Sequence, residues 1–379
     1  MRTPLIMTPG PTNIRERVRR ALSKEITNPD LDLDFYEFYK ETCDKLKELL
    51  KTTNDVLILN GEGILGLEAA CASIIEPGDR VLVIDNGIFG KGFGDFVEMY
   101  GGEVELFTTD YERAIDVGEL ERFLKEDHDF KMATMVHCET PSGITNPVDI
   151  ICPMLKEYGI LTVVDSVSSV GGEELKTDEW QIDIALGGSQ KVLSAPPGLT
   201  FLSVSSDAWE AILNRELPIA SFYCNLAIWE DWYEKKWFPY TQPISDIYAL
   251  REAVDILLED KGALERHRCM AEAVRRALVS AGLELYPKDG FSNTVTTFMQ
   301  PEAVDFERVF KGMLDRHNIL IAGAFDFLKD RVIRIGHMGE NCYEDKLYMT
   351  LKALSQVLIK NGVNLQGDIH KLFIQNLRE

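Results

Sequence analysis

Long apolar runs are absent from this sequence. No stretch reaches the ~18 apolar residues that a membrane-crossing helix needs, so a membrane is not expected as a partner. The opening segment MRTPLIMTPGP has too short an apolar run for a secretory leader, and none is expected. Positive charge is in short supply: 40 lysines and arginines face 62 aspartates and glutamates, for a net charge of −22. A surface of that sign repels nucleic-acid phosphates and anionic lipids, which excludes both as main partners. The seven cysteines are scattered, odd in number and without a CxxC pair. That argues against a disulfide scaffold and reads as reduced thiols in a cytoplasmic protein. Histidine is scarce too, six in all, and none lies at metal-ligand spacing from His137, so no metal site is expected. No tract is low in complexity and no segment repeats.

What is present suffices for a large core. The chain has 379 residues, 45% of them hydrophobic and 27% charged, as in ordinary globular proteins. That length suits one large and one smaller domain. One stretch organises the rest. Residues 182–186 read as a short buried strand ended by Gly187 and Gly188, with Ser189, Gln190 and Lys191 next. Residues 192–198 then close with two prolines and a glycine, a rigid turn that cannot continue as a helix. A second apolar strand, 161–165, ends in Asp165. Pyridoxal phosphate chemistry needs both groups: an amine for a Schiff base, and a carboxylate that keeps a ring nitrogen protonated.

Short apolar strands at 56–59, 80–85, 132–136, 161–165, 182–186 and 199–204 alternate with helical segments at 64–75 and around 153–158. The pattern predicts an α/β fold with a mostly parallel sheet covered on both faces. Helical spacing at 14–23 and 35–51 precedes it, and a long helix at 244–258 follows. Ligands in such sheets sit at the carboxyl ends of the strands. Asn60, Asp165 and Lys191 all fall there, which predicts one shared site. Asn60-Gly61-Glu62-Gly63, between strand and helix, is a layout in which helix N-terminal N–H groups hold a phosphate. The same glycines also serve a plain tight turn. From about residue 260, helices at 263–281, 304–317 and 344–360 and strands at 294–299 and 332–335 predict a smaller α+β domain. The expected division is an arm over 1–15, a large cofactor-binding domain over 16–259 and a small domain over 260–379.

The motifs VDSVSSVGG (164–172) and GSQKVLSAPPG (188–198) resemble those of the class V aminotransferases of the alanine–glyoxylate and serine–pyruvate type. The resemblance runs from about Pro9 into the C-terminal region. It implies the pyridoxal phosphate fold type I, with Lys191 as the Schiff-base lysine and Asp165 as the ring-nitrogen partner. It also implies that Gly61, Glu62, Gly63, Ile64, Phe89, Thr140, Val167 and Gln190 line the cofactor. Phe89 would stack on the ring, core packing being the other fate of a phenylalanine there. Thr140 would offer its hydroxyl to the phenolic oxygen, and Thr241 would reach the neighbouring subunit's phosphate in a homodimer with shared sites. Arg334, in RIGHMG (334–339), would grip the substrate carboxylate through its planar fork, a surface arginine being the rival. The N-terminal arm, with Gly10, would cross the mouth of the substrate site. The aromatic residues of 229–240 read as core or as dimer surface, and His137 and Cys138 as packed against the sheet. The implied substrates are a small amino acid of alanine or serine type and a 2-oxo acid, glyoxylate or pyruvate. The stretch HCETPSG (137–143) also looks like the 2-aminoethylphosphonate–pyruvate branch.

Two positions depart from that pattern. Glu62 stands where such enzymes usually offer serine or threonine. A carboxylate ~4 Å from a phosphate opposes it by roughly 4 kcal/mol per charge pair at an effective dielectric of 20. Glu62 is therefore expected to face away from the cup or to carry a proton. Phe238 stands where a tyrosine often donates a hydroxyl, with Tyr240 two positions on as a substitute. A lyase or decarboxylase of the same fold would use the same lysine–aspartate pair. Arg334, and the absence of a cysteine-bearing loop of the desulfurase kind, favour transamination. A binding or assembly protein that retained the fold without turnover is the reading of another class, and Glu62 is its support.

Overall fold

The computed structural model describes residues 3–378; residues 1 and 2 of the expected arm and residue 379 of the expected small domain lie outside the described residues. The central sheet has seven strands: β1 (Asp55–Leu59), β2 (Arg80–Asp85), β3 (Glu103–Thr108), β4 (Met132–Val136), β5 (Leu161–Asp165), β6 (Ile184–Gly188) and β7 (Thr200–Val204). Their order is β1-β7-β6-β5-β4-β2-β3. β7 runs antiparallel to both its neighbours, and every other pairing is parallel. The parallel strands β4, β5 and β6 are buried along their whole length. Strands with no polar face must be covered on both sides, and that is what made them legible as short apolar runs. β3 escaped prediction because it is a half-solvated edge strand, opened by an exposed Glu103.

Helices cover the sheet: α1 (Leu33–Leu50), α2 (Gly63–Ile74), α3 (Ile88–Met99), α4 (Val148–Glu157) and α5 (Ile244–Glu259). α2 packs against β6, β7 and α3. Its Ala69, Ala70, Cys71, Ala72, Ser73 and Ile74 are all buried, so it has no solvent face to pattern. α4 starts well before the segment expected at 153–158, because Pro153 lies inside the helix rather than at its start. The aromatic stretch before α5 divides. Trp229, Trp232 and Phe238 are buried in this chain's own core. Phe238 stacks on Tyr36 with ring centroids 4.5 Å apart. Trp237 stays exposed.

A second apolar core gathers α6 (Ala263–Ser280), α7 (Phe306–His317), α8 (Glu344–Lys360), α9 (Ile369–Arg378) and the antiparallel pair β8 (Val295–Met299) and β9 (Val332–Gly336). α9 was not expected from the sequence; it lays Ile369 and Phe373 against α6 and α8. Met7 of the arm belongs to this core too. Leu5–Ile6 pairs in parallel with Ile319–Leu320, and Gly336 N donates to Met7 O at 2.8 Å. Five residues on, Thr12 N donates to Gln190 O at 3.2 Å. The arm thus ties the second core to the carboxyl edge of the central sheet. Among the described residues, no helix is long and apolar enough to cross a membrane, and no three histidine, cysteine, aspartate or glutamate side chains gather to hold a metal ion.

Candidate active site

The turn after β6 presents Lys191. Ser189 locks it, its N–H donating to Leu199 O and its carbonyl accepting from Ala195 N, both at 3.0 Å. Ser189 Oγ also donates to Pro196 O at 2.6 Å. The lysine does not reach for water. Its Nζ donates to Pro9 O at 2.7 Å. Next to Pro9 the backbone of Gly10 has φ +90°, and a Cβ there would come within 2.4 Å of Lys191 Cδ. Only glycine lets the arm lie this close over the lysine. Burial pulls the amine down to about 8, the Arg334 charge lowers it further, and Asp165 works against both.

Asp165 ends β5 and is buried. Its Oδ1 accepts from Val167 N at 2.8 Å, which fixes the carboxylate at the mouth of the turn. Burial raises it to about 6; Lys191 opposes that rise and Glu62 adds to it. The Thr140 hydroxyl is hydrogen-bonded to that of Ser168, three residues beyond Asp165. Phe89 opens α3, where its N–H and that of Gly90 donate to the two carboxylate oxygens of Glu139, each at 3.0 Å. Sequence reasoning missed Glu139. It lay inside a motif already singled out, but only its neighbour Thr140 was assigned a role. Its carboxylate is fully buried, pushed up to about 7 by burial, and caps the helix that carries Phe89. The Phe89 ring is partly buried and meets Phe325 edge-on with centroids 6.0 Å apart. His137 and Cys138, by contrast, are simply buried: the imidazole is pulled down to about 4 and the thiol pushed up to about 12 by desolvation.

Arg334 comes from β9, in the other core, and it is 8% exposed, so it is not a surface arginine. Its Nε donates to Gly323 O at 2.7 Å, and its Nη1 makes a long 3.4 Å contact with Thr140 O. Burial lowers it to about 10, with Glu139 opposing, so it remains charged at neutral pH.

The turn between β1 and α2 forms the cup. Glu62 is the N-cap of α2, with extended backbone and no side-chain cap bond, so the first N–H groups of the helix stay open. Glu62 is exposed, with its carboxylate at the edge of the cup. Gln190 Nε2 reaches Glu62 Oε2 at 3.5 Å, and the Glu62 charge acts on both Asp165 and Lys191. The amide donor and the positive helix end account for that orientation. Val167 packs against Gly63 on one side and Gly188 on the other. Ile64 points outward, 40% exposed. Thr241 lies at the rim: its residue is exposed, and its carbonyl accepts from Asn60 Nδ2 at 3.0 Å. Tyr240 stacks on Tyr223 with centroids 4.6 Å apart, and its hydroxyl faces the Asn60 backbone at the start of the cup turn.

Lys191, Asp165, Val167, Gln190, Glu62, Gly10 and Arg334 are therefore joined by contacts or by their charges, and Thr140 is joined to Arg334. Ile64 and Thr241 are on the outside. The group fits the ring of pyridoxal phosphate: an amine, a carboxylate ionised at neutral pH, a hydroxyl pair and an aromatic face. The phosphate end does not fit. Residues 60–65 contain no serine, threonine, lysine or arginine, and the N-cap is a carboxylate.

Known proteins resemble this chain in sequence and in fold. The family model for aminotransferase class-V matches residues 8–323. The chain is 31% identical to a pyridoxamine–pyruvate transaminase of Mesorhizobium japonicum, over 95% of this chain and 93% of the relative. It is 32% identical to an alanine–glyoxylate aminotransferase of Callithrix jacchus, over 94% of this chain and 88% of the relative. Its fold matches the crystal structure of a ureidoglycine–glyoxylate aminotransferase from Bacillus subtilis with a TM-score of 0.96 and 32% identity, covering 100% of this chain and 99% of the other.

Proposed function

This chain belongs to the class V aminotransferases, enzymes of pyridoxal phosphate fold type I that use pyridoxal 5′-phosphate, and from that membership we propose how its residues move an amino group from a small amino acid to a 2-oxo acid. The observation that carries the reading is the meeting of Lys191, from the turn after β6, Asp165, from the end of β5, and Arg334, from the middle of β9, in one cleft where burial shifts all three groups. When bound, the cofactor supplies an electron sink for the α-carbon of the substrate. Lys191 would hold the cofactor and, when free, its amine would take and return the proton of the substrate α-carbon. An amine near 8 is well matched to that exchange at neutral pH. Asp165 keeps the ring nitrogen protonated through a charge-assisted hydrogen bond. Thr140 and Ser168 orient the phenolic oxygen, and Phe89 lies on the ring face. Arg334 receives the substrate carboxylate, and Gly10 and Pro9 close the mouth above Lys191. Gly61, Gly63, Val167 and Gln190 would form the wall at the α2 end, with the Ile64 side chain outside it.

Alanine or serine is the donor and glyoxylate or pyruvate the acceptor in this reading; the relatives named for alanine–glyoxylate and pyridoxamine–pyruvate exchange support it. A spectroscopic cycle tests it. Alanine should bleach the yellow loaded protein, and pyruvate or glyoxylate should restore the colour. Ethylamine, which lacks the carboxylate, should bleach it at least about tenfold more slowly, and Arg334→Ala should erase that preference, since a charge-assisted bond is worth about 1.5–3 kcal/mol. Loaded protein that no small amino acid bleaches would contradict the function; Arg334→Ala that kept the preference would contradict the arginine's role.

The arm, large domain and small domain divide at residues 15 and 259 in this reading, and the two apolar cores support it. The unpaired state of all seven cysteines is consistent with a cytoplasmic setting. The active unit is a homodimer in which Thr241 reaches the partner's site. Exposed Phe222 and Tyr223, packed on Tyr240 next to Thr241, supply an apolar surface for it. Light scattering is expected to give twice the chain mass; a fully active monomer at that concentration would refute the shared site.

A further inference from the structure

The turn that precedes β9 carries an aromatic side chain that the fold leaves uncovered. Phe325 is 46% exposed, whereas Leu328, three residues on, is fully buried. The turn is nonetheless fixed on both sides of Phe325. At its start, Gly323 O accepts from Arg334 Nε at 2.7 Å, and Arg334 N donates to Ala322 O at 2.7 Å. A Cβ on Gly323 would lie 3.1 Å from Phe306 Cδ1, so α7 backs the turn closely. Further along, Phe327 stacks on Tyr111 with centroids 4.8 Å apart, and the Tyr111 hydroxyl donates to Asp85 Oδ1 at 2.8 Å. Ala324 and Phe327 pack in one cluster with Ile88, the residue before Phe89. Asp326, between the two phenylalanines, has φ +53°, a left-handed conformation that aspartate tolerates better than most residues, and there the two rings part. Phe325 therefore stands at a set place, edge-on to Phe89 at 6.0 Å and two residues from the carbonyl that anchors Arg334. Arg334 and the ring face beside Phe89 fix two points of a carboxylate substrate. Its side chain is the part left free, and Phe325 is the exposed aromatic next to both fixing points.

We propose that Phe325 is a specificity-determining residue: its ring walls the space open to the side chain of whichever substrate Arg334 grips, amino acid or 2-oxo acid, and confines the exchange to short side chains. The proposal rests on the aminotransferase reading above and gives the same site its size limit. A methyl or hydroxymethyl group stops short of such a wall. A branched or aromatic side chain meets the ring, which cannot retreat because the turn is held at Gly323 and at Phe327. The limit applies to both halves of the exchange, because donor and acceptor carboxylates use one arginine. A residue that merely supported Phe89 would act on short and long substrates alike, so the ratio between them separates the two roles.

The test compares wild-type protein with Phe325→Leu and Phe325→Ala, each loaded with pyridoxal 5′-phosphate, by the rate at which alanine and leucine bleach the chromophore. Wild-type protein is expected to favour alanine by at least about tenfold, the scale on which a pocket discriminates a misfitting methylene. Phe325→Ala should move that ratio toward leucine by at least about tenfold, and Phe325→Leu, which keeps an apolar side chain in place, should fall between the two. Pyruvate against the oxo acid of leucine should show the same shift in the return of colour. Binding without turnover gives a second readout. Propionate and isocaproate, the two donors without their amines, are titrated into loaded protein and followed by its absorbance; Phe325→Ala should gain affinity for isocaproate relative to propionate. The side chain is exposed, so both variants are expected to melt as the wild type does. Wild-type protein that takes leucine as readily as alanine overturns the proposal, and so does an unchanged ratio in both variants. Either result, with alanine still bleaching the protein, leaves the aminotransferase standing, whereas loaded protein that no amino acid bleaches defeats both.

Discussion

Replacing Lys191 with alanine is expected to lower turnover by about 10⁴-fold, the upper end of what a positioned general acid–base contributes. The argument rests on where the amine lies. It is buried under Gly10, bonded to Pro9 O at 2.7 Å, and brought down to about 8 by desolvation and by Arg334. Among the described residues, Lys191 is the lysine whose charge acts on Asp165. A small free amine should restore part of the rate, because the alanine side chain leaves room where the amine was. Borohydride reduction of loaded wild-type protein, followed by peptide mapping, should put the pyridoxyl label on Lys191. A label on a different lysine, or an alanine variant within tenfold of the wild-type rate, would defeat the assignment.

Asp165→Asn is expected to cost about 10²–10³-fold in turnover, the range seen when one preorganised electrostatic contact to a reacting group is removed. The substitution is nearly isosteric, and an asparagine Oδ1 can still accept from Val167 N. The loss therefore reports charge rather than collapse. The pH dependence gives a second readout. The wild-type carboxyl titrates near 6, so activity should fall below that pH, and the variant should lack this acidic limb. Stability moves with the opposite slope. A carboxyl raised from 3.8 to about 6 binds more protons folded than unfolded between those values, so its contribution falls as pH rises through that window. Asp165→Asn should remove that slope. Near wild-type turnover in the variant, with the acidic limb intact, would sink the assignment.

The site was legible in sequence to the extent that it is built from strand ends. β5 and β6 are fully buried parallel strands, so each appears as an apolar run broken by the functional residue itself, Asp165 or the glycine turn before Lys191. Nothing comparable marks Glu139. A buried carboxylate that caps a helix 50 positions upstream has the same letter as a solvated surface glutamate. The C-terminal helix α9 escaped because its amphipathic face is short and one of its two partners, α6, is distant in sequence. Glu62 is exposed, yet it lies within marginal reach of another segment of the chain. The sequence argument weighed it against a phosphate; the fold supplied an amide, Gln190, 128 positions away.

Local order along the chain determined the parallel sheet, the lysine turn and the carboxylate that ends β5, because burial on both faces demands continuous apolar strands and because a turn needs its glycines and prolines wherever it sits. Tertiary structure decided the rest. It laid the arm over Lys191 and brought Arg334 from the second core against Thr140. It withdrew Phe238 into an aromatic layer with Tyr36 and set Gln190 beside Glu62. Each of these depends on what a side chain meets across the fold. Desolvation and partner charge, which set whether an amine sits near 8 or a carboxyl near 6, exist only once distant segments have closed around the group.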